Sequence, residues 1–185
     1  MPIAAAVMVG PADIRVRRGS GLLTCVGLRS GACLALYDPH GKVAGMAHVT
    51  QAWANPGDVS VRPGKSADTV VEALIDAMER TGAERSHIVA AIAGGVVAGD
   101  MSDPILLDAS VLLSLRNEVQ EAGIAILGED VAGESDRGVV LDISVGVLRV
   151  RCADGERQVC DFNRVQRTNF TGRFTALVAA EQRVA

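Results

Sequence analysis

Short apolar or β-branched runs at Ile14–Arg18, Leu22–Leu28, 33–37 and Val43–Val49 are separated by Gly, Asp, Pro and Ser, a pattern that predicts consecutive strands. The tetrapeptide Asp38-Pro39-His40-Gly41 has turn chemistry, with Pro at the second position and Gly at the fourth, so Tyr37 and Val43 are expected to face each other across a hairpin. Asn55, Pro56 and Gly57, then Pro63 and Gly64, bracket a loop without periodicity. From Ser66 the period changes. Val70, Val71, Leu74, Ile75 and Met78 recur at helical spacing while Asp68, Glu72, Asp76 and Glu79 keep to the other side, and Gly82 ends the helix. The continuous apolar run 88–92 predicts a strand covered on both faces. A second helix is expected to start after Asp108, its N-cap, and to run through Val111, Leu112, Leu115 and Val119 to Gly123. Runs at 124–127 and 139–143 read as further strands. Val147–Cys152 and 158–162 flank Asp154-Gly155, which predicts a hairpin with a type I′ turn. The stretch 169–185 is weakly amphipathic, and 163–185 is expected to form a part-helical C-terminal extension.

Composition sharpens this into one domain of 185 residues, with a core of small and branched side chains, since hydrophobic residues make up 49% and aromatics only 3%. A formal charge of −4, without a run of Lys or Arg, speaks against a nucleic-acid partner. The N-terminus lacks a cationic leader and no apolar stretch reaches bilayer length, so a cytoplasmic protein without membrane insertion is expected. Cys25, Cys33, Cys152 and Cys160 show no C-x-x-C spacing and read as reduced thiols. His40, His48 and His87 are scattered in sequence, so neither a metal nor another cofactor is expected.

The segment from Thr24 to His48 carries the candidate chemistry. Gly27, Leu28 and Ser30, then Leu36, Tyr37 and Asp38, then Gly45, Met46, Ala47 and His48 resemble the signature of the CheD family of chemoreceptor glutamine deamidases. Further along, PGKSAD (63–68), AIAGG (91–95) and GED (128–130) resemble family motifs in the same order, and the resemblance is strongest over 22–151. It implies a single layered α/β sandwich over 1–185, with two main helices packed on mixed β-sheets. It also implies His48 as the catalytic imidazole, with Gly27 and Ser30 in the substrate-binding turn and Arg137 as a second substrate contact. The family's nucleophilic Cys, however, aligns with Gly31, and its catalytic Thr aligns with Cys25, beside Thr24.

Deamidation needs a thiolate to attack the carboxamide and an imidazole to carry the proton to departing ammonia. Glycine supplies neither. The leading expectation is therefore a CheD-like chemotaxis protein with a degenerate site, acting by binding chemoreceptor cytoplasmic helices or a CheC-like phosphatase, and regaining part of the activity in Gly31→Cys. The alternative is an active protein-glutamine deamidase using Cys25 with His48. A third reading is an α/β domain with an unrelated ligand. On residue type alone Cys25 and Cys33 are core, and Cys33 sits about 6 to 7 Å along the strand from position 31, too far to replace a nucleophile there. Cys152 and Cys160 read as structural.

Overall fold

The computed structural model describes residues 5–28, 30–55, 62–95, 104–131 and 136–167. Strands β4 (Ala32–Asp38) and β5 (Val43–Val49) are buried at every position, and their alternating side chains serve different layers. Ala32, Leu34 and Leu36 point to a core shared with helices α1 (Ala67–Arg80) and α2 (Pro104–Glu121). Cys33, Ala35 and Tyr37 point the other way, into a core shared with a second sheet. A strand covered on both faces must be apolar almost throughout, which explains the run CLALY.

The inner sheet has the order β2-β5-β4-β6-β7, with β2 (Ile14–Arg18), β6 (Val89–Gly94) and β7 (Ala125–Val131) completing it. Its pairs are antiparallel except β6 with β7, which are parallel and joined through α2. The outer sheet has the order β1-β3-β8-β9-β10, formed by β1 (Ala6–Met8), β3 (Leu22–Leu28), β8 (Arg137–Asp142), β9 (Val147–Cys152) and β10 (Gly155–Asp161). The result is three layers, helices on a mixed sheet on a second mixed sheet, as the α/β sandwich expectation required.

Gly45 lets α1 lie close on β5, because a Cβ there would come within 2.7 Å of the Met78 sulfur. Between the sheets, Tyr37 stacks on Phe162 with ring centroids 5.4 Å apart and donates its hydroxyl to the Ile143 carbonyl at 2.8 Å, which satisfies its buried polar tip. No helix among the described residues is long and apolar enough to cross a membrane.

Several sequence expectations need correction. Helix α2 starts at Pro104, so Asp108 lies inside it and is not its N-cap; Pro fits a first helical position because that N–H has no intrahelical acceptor. In the β4–β5 hairpin Asp38 pairs with Val43, which puts Ala44 and not Val43 opposite Tyr37, and Lys42 takes up the positive φ of 49°. In the β9–β10 hairpin Cys152 pairs with Gly155, so the turn centres on Ala153-Asp154. Neither of those residues has positive φ, which rules out type I′. Strand β1, read in sequence only as part of a terminus, pairs in parallel with β3. The strands expected at 88–92, 124–127, 139–143 and 158–162 occur with ends displaced by one to four residues. The expected helix over 169–185 lies outside the described residues.

Candidate active site

Cys25, Cys33 and His48 meet between the sheets. Strand β3 alternates Leu23 and Cys25 inward, so Cys25 reaches the inner sheet from the outer one. Cys33 on β4 and His48 on β5 are direct cross-strand partners, and their side chains share the face that looks at β3. The three residues are 0%, 1% and 4% exposed respectively.

Their titration is coupled through hydrogen bonds. The Cys25 thiol is lowered to about 6, chiefly because Cys33 donates a hydrogen bond to it; burial opposes this, while the hydrogen bond with His48 and its charge add to it. Cys33 moves well above the ordinary thiol range, since its proton is held in the bond to Cys25 and burial disfavours its anion. For His48 burial pulls the imidazole down, but the bond to Cys25, the charge of Cys25 and a backbone hydrogen bond with Ser30 outweigh it, and the net shift is upward. The arrangement favours a Cys25 thiolate beside a His48 imidazolium. Nδ1 of His48 is buried with no hydrogen-bond partner among the described residues.

The other residues singled out in sequence are placed differently. Thr24 alternates with Cys25 and so faces away from the imidazole; its hydroxyl donates to the Val7 carbonyl on β1 at 3.5 Å. Gly27 lies where the β3–β8 pairing is interrupted between Cys25 and Leu28, and it is exposed, as is Ser30. Gly31 directly precedes β4 with φ +78°, and its carbonyl accepts the Gly95 N–H at 2.9 Å. A Cβ added at Gly31 would lie 2.2 Å from the Val49 carbonyl oxygen and 3.3 Å from the Thr50 Cα. This backbone has no room for a side chain at position 31, so the expected recovery of activity in Gly31→Cys loses its structural basis. Arg137 is buried, with Nε 2.8 Å from an Asp130 carboxylate oxygen and Nη1 donating to the Gly94 carbonyl at 3.1 Å. Its guanidinium ties β8 to the inner sheet, and the substrate contact expected of it has to compete with that role.

Cys33 is the residue that sequence reasoning undervalued. Measured along β4 from position 31 it is displaced, but measured across the sandwich it touches Cys25, a proximity carried by the pairing of Cys33 with His48. Cys160 fits its structural reading, with burial pushing its thiol up to about 12.

An α/β sandwich with a Cys–His pair between its sheets thus defines the class. The sequence profile of the family described as CheD chemotactic sensory transduction matches residues 50–152, starting just past His48. The Chemoreceptor glutamine deamidase CheD of Thermotoga maritima is 31% identical over 152 residues, covering 82% of this chain and 95% of its own length. The Probable chemoreceptor glutamine deamidase CheD of Archaeoglobus fulgidus is 34% identical over 151 residues, covering 80% of this chain and 94% of its own. That of Caldanaerobacter subterraneus is 32% identical over 146 residues, covering 77% and 90%. The chain belongs to the CheD family.

Proposed function

We propose that the protein is a cytoplasmic chemoreceptor glutamine deamidase in which Cys25 carries the nucleophile's role and His48 the proton's. The observation behind this reading is the hydrogen-bonded Cys25–His48 pair with its lowered thiol and raised imidazole. The Cys25 thiolate attacks the side-chain carboxamide carbon of a receptor glutamine, and the His48 imidazolium gives its proton to the departing ammonia. The neutral imidazole then takes a proton from water as the water attacks the thioester, releasing glutamate and the thiolate. Cys33 touches no reacting atom in this scheme. It is a positioning residue that stabilises the thiolate by donating to it. The substrate class, chemoreceptor glutamine, is carried over from the names of the relatives, and the cytoplasmic helices are the part of a receptor that a cytoplasmic enzyme can reach.

One observation favours a second reading. Cys25 has no exposed surface, which suits a protein that binds a chemoreceptor, or a CheC-like phosphatase, without turnover. Ammonia release from a glutamine-containing receptor cytoplasmic fragment separates the two. Turnover that is lost in Cys25→Ser and in His48→Ala is expected; receptor binding without ammonia release would establish the binding reading instead.

A further inference from the structure

The opposite end of β4 gathers a second set of chemical groups. Asp38, the last residue of β4, is 1% exposed, and its carboxylate accepts three backbone N–H groups: His40 at 2.9 Å and Gly41 at 3.0 Å on Oδ1, and Glu84 at 3.0 Å on Oδ2. His40 stands in the hairpin loop that follows, and His87 closes the 3-10 turn Arg85–His87 that leads into β6. Because β4 pairs antiparallel with both β5 and β6, the chain reversal after β4 and the approach to β6 meet at this end. The rings of His40 and His87 lie 4.1 Å apart between centroids at 48°, and His87 Nδ1 is 3.9 Å from Asp38 Oδ1. One donor atom from each of Asp38, His40 and His87 falls within 4.8 Å of the other two.

We propose that Asp38, His40 and His87 form a binding site for a divalent transition metal of the zinc class. Two imidazoles and a carboxylate are the donor set that such ions prefer over magnesium or calcium. Bonds of about 2.0 to 2.1 Å in a tetrahedron place donor atoms roughly 3.3 Å apart, so rotation of His40 and His87 closes the set. His40 is exposed and opens the site to solvent. The carboxylate, by contrast, is held in place by its backbone donors, which is how outer-shell hydrogen bonds orient a metal ligand. The fourth position falls to water or to Glu84, whose Oε2 is 3.5 Å from His87 Nδ1. A metal there clips the β4–β5 loop to the start of β6, outside the Cys–His site and independent of the deamidase reading.

The test uses the full chain stripped with EDTA and titrated with Zn²⁺ by calorimetry and with Co²⁺ by absorption spectroscopy. One equivalent should bind, with visible Co²⁺ bands but no sulfur-to-cobalt charge-transfer band in the near ultraviolet. Zn²⁺ should raise the thermal midpoint, and Mg²⁺ should not. His40→Ala, which changes an exposed loop side chain, and His87→Gln should each weaken Zn²⁺ binding by about tenfold or more, whereas Cys25→Ser should leave it unchanged. Absence of saturable binding, retention of full affinity in the His40→Ala/His87→Gln double variant, or a charge-transfer band abolished by Cys25→Ser would each overturn the proposal.

Discussion

The two faces of β4 carry opposite tasks on one strand. Toward the helices, Ala32, Leu34 and Leu36 belong to an apolar cluster with residues of α1 and α2, and close packing is what they contribute. Toward the outer sheet, Cys33, Ala35 and Tyr37 share their layer with Cys25 and His48; the two thiols and the imidazole are linked by hydrogen bonds and the Tyr37 hydroxyl donates to backbone, while His48 Nδ1 has no partner among the described residues. The lesson is that burial by itself does not separate core from site in this fold, since both faces are buried to the same degree. What separates them is whether a buried group has a titratable partner.

That contrast is open to direct attack. The largest effect should come from Leu34→Ala on the helix face, a large-to-small change that costs about 2 to 5 kcal/mol. Urea denaturation reads it, and Cys33→Ala on the other face should cost clearly less. Next comes Gly31→Cys. A side chain at φ +78° that meets the Val49 carbonyl should destabilise the fold by roughly 1 to 3 kcal/mol, with no gain in ammonia release over wild type. A Gly31→Cys protein of wild-type stability and higher activity would show that position 31 does serve as the nucleophile's place. A smaller effect on stability but a direct one on chemistry is expected from Cys33→Ala. Without the Cys33 donor, the pH of half-maximal labelling of Cys25 should move from about 6 toward the free-thiol value of about 8.5. An unchanged labelling profile would mean that His48 alone sets the thiol.

Much of this architecture was legible in the chain. Alternating and continuous apolar runs located β2 to β5, and helical spacing from Val70 to Met78 located α1, because those elements bury one face or both against a large core. Strand β1 escaped because three residues, exposed or half-buried, are too few to show a period, and its pairing with β3 skips over β2 into the other sheet. The start of α2 was misplaced because Asp108 has cap chemistry wherever it occurs, whereas the helix opens on the fixed φ of Pro104. The site was half legible. His48 and Cys25 stood out through the resemblance, but Cys33 joins them through cross-strand pairing, and His40 joins His87 through two separate loops, which no linear spacing encodes. Thr24 and Arg137 looked like site residues by position alone, while strand alternation turned the first away and Asp130 engaged the second.

A thiolate–imidazolium pair of Cys25 and His48 must show itself in the pH profile of Cys25 alkylation. The folded thiol is depressed to about 6 and the imidazole is raised, so the ion pair is populated above the thiol's value and below that of the imidazole, and is lost on either side of that window. Iodoacetamide labelling of the native protein, read at Cys25 by mass spectrometry, should rise through about pH 6 and move to higher pH in His48→Ala, where the Cys33 hydrogen bond is left to lower the thiol by itself. Labelling that begins only in the free-thiol range near pH 8.5, or that requires unfolding, would show that Cys25 and His48 form no such pair.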